Sequence, residues 1–193
     1  MHINIRQASQ GLIVLCFLSL AACASKEMIL ETRLAEVPVG VDLTGFWRVL
    51  DNPDALRFTG IENVQDLTKT KELKDRSKHQ KILSSSSARV FLEFGESLKI
   101  TQTEYSLFIS YDRSIVEEYT FGENRLVSIG PIEAQRVSGW QDNKFVVYTL
   151  GASGTILFET WYLANDDQIL VRDIRIAKGD TEIYRHNQFF EPQ

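Results

Sequence analysis

From Ser97 to the C-terminus the chain is a train of short alternating segments punctuated by turn residues, and no other feature narrows its folding options as far. "SLKITQT" alternates Leu98 and Ile100, and "YSLFISY" follows Thr103-Glu104. "SIVEEYTF" follows Asp112-Arg113, Gly122-Glu123-Asn124 turns into "RLVSI", and Gly130-Pro131 turns into "IEAQRVSGW". Gln141-Asp142-Asn143 leads into "KFVVYTL", "GASG" into "TILFETWYL", "NDD" into "QILVRDIRI", and Lys178-Gly179-Asp180 into "TEIYRHNQFF". Alternation with period two puts successive side chains on opposite faces of a sheet. Turn signals every ~8–12 residues mark an all-β sandwich or barrel. Pairing neighbours along the whole chain leaves two open edges, and closing the sheet removes them. The expected fold is all-β: an antiparallel up-and-down meander closing as a barrel of about 8–10 strands.

Upstream, "VDLTGFWRVL" reads as a strand from about Leu43 to Leu50, stopped by Asn52-Pro53-Asp54. A charged insertion follows over residues 58–87, with "KTKELKDRSKHQK" and then "SSSS". Ile61, Val64 and Leu67 fall at helical spacing, so a helix fraying into a loop is expected. Lys69, Lys71, Lys74, Arg76, Lys78 and Lys81 are offset there by Glu72 and Asp75. This stretch reads either as a solvated insertion or as a basic flap facing anionic lipid headgroups or an acidic partner. Ala88 to Gly95 fits a strand or a short helix. The expected domain covers residues 42–193, preceded by a tether over 23–41 with a short helix around Met28 to Ala35.

The first 22 residues carry a different message. Arg6 is followed by the apolar run Gly11 to Leu20, "GLIVLCFLSL". That is the length of a signal-peptide core and too short for a membrane span, which needs roughly 20 apolar residues. Small residues and a cysteine come next: Leu20-Ala21-Ala22-Cys23. This stretch resembles the lipobox of bacterial lipoproteins. The resemblance implies removal of residues 1–22, diacylation of the Cys23 thiol and acylation of the new N-terminus. Stable anchoring takes more than one acyl chain, and such a residue supplies several. The ordinary alternative is a secretory signal with a free Cys23. Ala24 and Ser25 follow the cysteine, not the Asp often found in lipoproteins kept in the inner membrane. The expected location is therefore the outer membrane of a Gram-negative bacterium, facing the periplasm.

Cleavage would also remove Cys16, so the mature domain has no free thiol, no disulfide and no thiolate metal site. It takes away one Arg and no acid, moving the net charge from −5 to −6. Such a surface does not favour nucleic acid. Candidate catalytic groups are scarce. His79 and His186 stand alone, with no second histidine at metal-ligand spacing. "GASG" lacks the full G-x-S-x-G and sits between two strands, where it reads as a hairpin turn. Glu117-Glu118 and Asp166-Asp167 are adjacent acids, and within a strand neighbours point to opposite faces. No catalytic residue, metal or cofactor is expected, and an enzyme ranks third among the readings.

Two features point to binding. Gly45-Phe46-Trp47 is similar to the G-x-W of the first strand in lipocalins. The resemblance implies a calycin-type barrel with Trp47 closing its base under an arginine from a late strand, for which Arg175 and Arg185 are the candidates. The T-D-Y motif of that family is missing, and the long insertion after the first strand departs from its short loop. Without the resemblance, Trp47 is an ordinary core aromatic.

The second feature is the hairpin "TILFETWYLANDDQILVRDIRI". A two-residue turn at Asp166-Asp167 puts Leu163 opposite Leu170, Trp161 opposite Arg172 and Glu159 opposite Ile174. Glu159 is then diagonal to Arg172, with Trp161 stacked on the guanidinium. Inside a barrel, such a pair among apolar groups is a handle for a ligand headgroup. On the outside it is a surface salt bridge worth ~0–1 kcal/mol.

The expected function is non-catalytic binding of a small apolar or amphipathic ligand by a membrane-anchored barrel, with Trp47, Glu159, Trp161 and Arg172 as ligand-binding residues. The alternative is a structural or assembly lipoprotein of the envelope, whose solid barrel docks a protein partner. The load of 11 Phe, 6 Tyr and 3 Trp is enough to fill an interior completely.

Overall fold

Each alternating segment forms a strand. Among the described residues, 29–50, 87–164 and 168–193 of a computed structural model, ten antiparallel strands form one sheet. The strands are β1 (Gly45–Val49), β2 (Ser97–Gln102), β3 (Ser106–Tyr111), β4 (Ile115–Thr120), β5 (Glu123–Ile129), β6 (Ile132–Gln141), β7 (Lys144–Gly151), β8 (Thr155–Ala164), β9 (Ile169–Lys178) and β10 (Thr181–Pro192). The signal segment, Cys23, the basic stretch 69–81 and the turn residues Asp166 and Asp167 lie outside the described residues. Ala88 to Gly95 resolves toward the helical alternative, as a 3₁₀ helix over Ser87–Phe91.

The ladder runs β4-β3-β2-β1-β10-β9-β8-β7-β6-β5, so β10 returns to β1 and the sheet curls into a nearly closed barrel. The seam falls between β4 and β5, which are consecutive in the chain. There Arg125 Nη2 donates to Glu118 O at 3.3 Å, Ser138 Oγ to Thr120 O at 2.7 Å and Gly122 N to Ser138 O at 2.9 Å. The two halves differ in height. Strands β1 to β4 have five or six residues each, whereas β6 to β10 have eight to twelve.

The hairpin register expected for β8 and β9 is the one formed: Leu163 opposite Leu170, Trp161 opposite Arg172, Glu159 opposite Ile174. Inward positions build two apolar layers. The lower one joins Trp47, Leu98, Tyr119, Phe121, Trp140, Phe145, Trp161 and Phe190. Phe121, Trp140 and Phe145 meet edge to face, mutually 5.4–5.6 Å apart, while Trp161 and Phe190 stack at 6.4 Å. In the upper layer the 3₁₀ helix drops Ala88 and Phe91, with Leu92, against Leu157, Ile174 and Ile176.

The described part of the tether is not a helix. Residues 29–35 run along the barrel without helix, and after a turn at Val39-Gly40 the segment packs Val37 and Val41 against the lower layer. Leu34 exchanges both backbone hydrogen bonds with Trp140, at 3.2 and 2.9 Å. Leu30 is buried against Val137 and Leu150, and its backbone N–H donates to Gln135 Oε1 at 3.0 Å. Gln102 ties down the far end, accepting from Leu43 N at 3.0 Å and donating to Val41 O at 2.9 Å. Glycine makes room for this strap: a Cβ on Gly139 would lie 2.5 Å from Leu34 O, and one on Gly122 2.8 Å from Ala35 Cβ. Sequence reading missed the strap because residues 29–41 carry no alternation of their own.

Candidate functional site

Between the two apolar layers lies a polar belt facing inward. Strand parity places its members. On β8, Leu157, Glu159 and Trp161 point in, and on β9, Leu170, Arg172 and Ile174 do. Glu159 and Arg172 are each only 1% exposed. Arg172 Nε donates to Glu159 Oε2 at 3.0 Å, and Nη2 donates to the same oxygen. Nη1 is held by Glu93 O at 2.7 Å and Gln188 Oε1 at 3.0 Å. The guanidinium stacks on Trp161, 4.6 Å from the ring centroid, with Tyr111 at 5.4 Å and Phe94 at 5.9 Å. Burial pulls the Arg172 pKa down, but Tyr111 and Glu159 carry it above its ordinary value, so the guanidinium stays charged.

A second pair completes the belt near the seam. Arg136 on β6 lies 3.9 Å from Glu117 on β4 and donates from Nε to Thr149 Oγ1 at 3.2 Å. Tyr119 O–H donates to Glu117 Oε2. At 3.9 Å Arg136 acts through charge alone, without a hydrogen bond. Burial therefore outweighs it and pushes the Glu117 carboxyl up to about 7. Burial also raises the Tyr111 hydroxyl out of the titrating range and, with Arg172 nearby, lowers His186, whose ring sits 6.4 Å from Phe94.

Several belt atoms are left over. Glu159 Oε1, Tyr111 O–H and Trp161 Nε1 are buried without a hydrogen-bond partner. A buried polar group left unsatisfied costs ~1–3 kcal/mol. One acceptor and two donors of the interior are therefore left with nothing to pair with.

The structure brings Glu159, Trp161 and Arg172 together. Trp47 joins the lower apolar layer instead, with its indole N–H donating to Leu43 O at 3.2 Å. The expectation that Arg175 or Arg185 covers Trp47 is wrong. Arg175 lies over Phe158 at 4.1 Å, and Arg185 pairs with Glu182 and Asp173. Trp47 stands opposite Pro192, seven residues along β10 from Arg185, which is roughly 23 Å. Tyr111, Glu117, Tyr119 and Arg136 were missed. Arg136 was signalled by its parity with Ala134, Ser138 and Trp140, all buried inward positions on β6. Of the adjacent acids, Glu117 does face in while Glu118 faces out, as alternation requires. Two surface concavities, of ≈ 670 and ≈ 720 Å³, lie against the strap, and neither is lined by a belt residue.

Fold and belt together define a lipocalin-like antiparallel barrel, nearly closed, with a charged layer in its interior. No protein-family model matches the chain, and no curated protein matches it either. Several solved structures align with it. Secretory abundant heat soluble protein 4 from Ramazzottius varieornatus superposes with a TM-score of 0.46 at 10% identity, covering 78% of this chain and 94% of that one. Human cRBP IV does so at 0.45 and 15%, covering 79% and 99%. A luciferase domain from the dinoflagellate Lingulodinium polyedrum reaches 0.43 at 9% identity, covering 97% of this chain and 62% of that one. The assignment of the fold rests on the ladder pairings themselves.

Proposed function

We propose that this chain is a lipid-anchored envelope protein, attached through Cys23 to the outer membrane of a Gram-negative bacterium and facing the periplasm. Its barrel binds a small amphipathic molecule without catalysis. The polar end of that molecule sits at Tyr111, Glu159, Trp161 and Arg172, and its apolar part lies among the upper layer side chains. The observation that carries this reading is the set of unpaired atoms in the belt. Arg172 already has Glu159, so a carboxylate ligand would compete with an internal partner. The open acceptor on Glu159 and the open donors on Tyr111 and Trp161 match a neutral group that both gives and accepts hydrogen bonds, such as a hydroxyl or an amide. Glu159 and Arg172 are thus better suited to orient a ligand than to react with it.

A second reading has its own observation. The edge-to-face cluster of Phe121, Trp140 and Phe145 fills the lower barrel with side chains, as a solid barrel that docks an envelope partner would have.

Native mass spectrometry of the mature protein, released gently from detergent, separates the two. A co-purifying small molecule whose occupancy falls in Tyr111→Phe supports the binding reading. Repeated recovery of the bare protein mass from freshly prepared membranes supports the solid barrel and ends the binding reading. The anchor is tested by Cys23→Ala, which is expected to leave the precursor uncleaved and without acyl mass. Unchanged acyl labelling in that variant would remove Cys23 as the attachment point.

A further inference from the structure

The two charge pairs of the belt are built differently. The side chains of Glu159 and Arg172 are each 1% exposed and joined by hydrogen bonds, and Nη1 of that guanidinium is taken by Glu93 O and Gln188 Oε1. The side chains of Arg136 and Glu117 keep 8% and 16% exposure, and their closest approach is 3.9 Å. A guanidinium carries five N–H donors. Arg136 uses Nε, which donates to Thr149 Oγ1, and among the described residues neither Nη1 nor Nη2 donates a hydrogen bond. The Thr149 bond fixes one edge of the group and leaves the Nη fork open. Phe91 and Tyr119 stand against it, each with its ring centroid 5.6 Å from Cζ. Arg172 is sealed and fully engaged, whereas Arg136 still reaches accessible space.

Glu117 does not fill that fork. Its Oε2 accepts from Tyr119 O–H, and its Oε1 lies beyond hydrogen-bond reach of Nη1. Burial holds its carboxyl up at about 7, so near neutral pH the proton is as often on as off. The other charges that act on Glu117 are Glu159 on β8, Arg172 on β9 and Glu93 beyond the 3₁₀ helix, and the Tyr111 hydroxyl on β3 lies within range of the same groups. On β5, Glu123 and Arg125 pair with each other at 3.3 Å. With Glu117 protonated, the belt sets Arg136 and Arg172 against Glu159 alone, and the surplus positive charge sits on Arg136. A buried charge without a hydrogen-bonded partner is costly, and a ligand that brings an anion to it removes that cost.

A planar fork with open N–H groups matches a carboxylate in geometry as well as in charge. We propose that Arg136 is a carboxylate subsite, so that the ligand of this barrel is an acid carrying a second, neutral polar group. This rests on the binding reading above, which puts the neutral group at Tyr111, Glu159 and Trp161. Arg136 on β6 and Glu159 on β8 are two strands apart, so the two polar groups of the ligand stand roughly 10 Å from each other.

Two probes that differ only at one end test the subsite: ω-hydroxydecanoic acid and α,ω-decanediol, titrated calorimetrically into the mature protein. The acid is expected to bind about tenfold tighter than the diol or better, as hydrogen bonds between charged groups allow. Arg136→Gln is expected to bring that ratio down to about one. Glu117→Gln is expected to raise the affinity for the acid by up to about tenfold at about pH 8, and by far less at about pH 6, because the parent carboxylate competes for Arg136 only once it ionises. An acid bound no tighter than the diol, or a preference that survives Arg136→Gln, overturns the carboxylate subsite, and binding of the diol then leaves the neutral-group reading standing. Where circular dichroism shows that Arg136→Gln does not fold, Glu117→Gln decides, and an affinity for the acid unmoved at about pH 8 overturns the subsite. Binding of neither probe also overturns it, and the mass-spectrometric test above then decides the binding reading by itself.

Discussion

Truncating the two partners of the buried Glu159–Arg172 pair should have unequal costs, and the inequality follows from where their hydrogen bonds go. Both donors reaching Glu159 Oε2 come from Arg172, and Oε1 has none. Arg172→Met therefore leaves a buried carboxylate with no hydrogen bond at all. Breaking a buried pair in this way costs ~3–5 kcal/mol. Glu159→Leu is gentler, because Arg172 keeps Glu93 O and Gln188 Oε1 and its stack on Trp161. A cost of about 2 kcal/mol is expected there. Replacing both residues together removes two desolvation costs along with the attraction, so the double variant should lie within ~1–2 kcal/mol of the parent. For a chain of this size, 1 kcal/mol moves Tm by ~2–4 °C, so Arg172→Met should melt about 6–20 °C lower. Thermal unfolding by circular dichroism, run as a double-mutant cycle, measures all three. Additive costs in the cycle, or a larger loss for Glu159→Leu than for Arg172→Met, would refute the account of how the belt is wired.

Glu117 should make the fold less stable as pH rises from about 4.5 to about 7, because burial raises its folded pKa from 4.5 to about 7 and the proton bound below that range is lost through it. Glu117→Gln should flatten the stability–pH profile in that window by on the order of 3 kcal/mol, and a profile unchanged by the substitution argues against a buried carboxyl. Gly139→Ala puts a methyl 2.5 Å from Leu34 O, so the amides of Leu34 and Trp140 should lose hydrogen-exchange protection while those of β8 and β9 keep theirs. Unchanged exchange at Leu34 would mean that the strap is seated by something other than the glycine.

The parts of this protein legible in the sequence are those written locally. Alternation and turn residues give the meander, and one hairpin carries Glu159, Trp161 and Arg172, so a correct register was enough to bring them together. The rest of the belt is not local. Tyr111 and Glu117 come from the short half of the barrel and Arg136 from the tall half, across a seam that no ladder bond spans. Alternation says that each faces inward, but which of them meet depends on how far the strands are staggered as the sheet closes, and period-two patterns do not encode stagger. The misplaced arginine has the same origin. β1 has five residues against twelve in β10 and pairs only with the latter's end, so Trp47 meets Pro192 and not Arg185. The strap is hidden for a different reason. What seats residues 29–41 is the missing Cβ of Gly139, a hundred residues further along, and an absent atom leaves no pattern in the segment it accommodates. Closure and the seating of the strap are thus both decided between distant segments, and those are the places where the interior of the barrel is set.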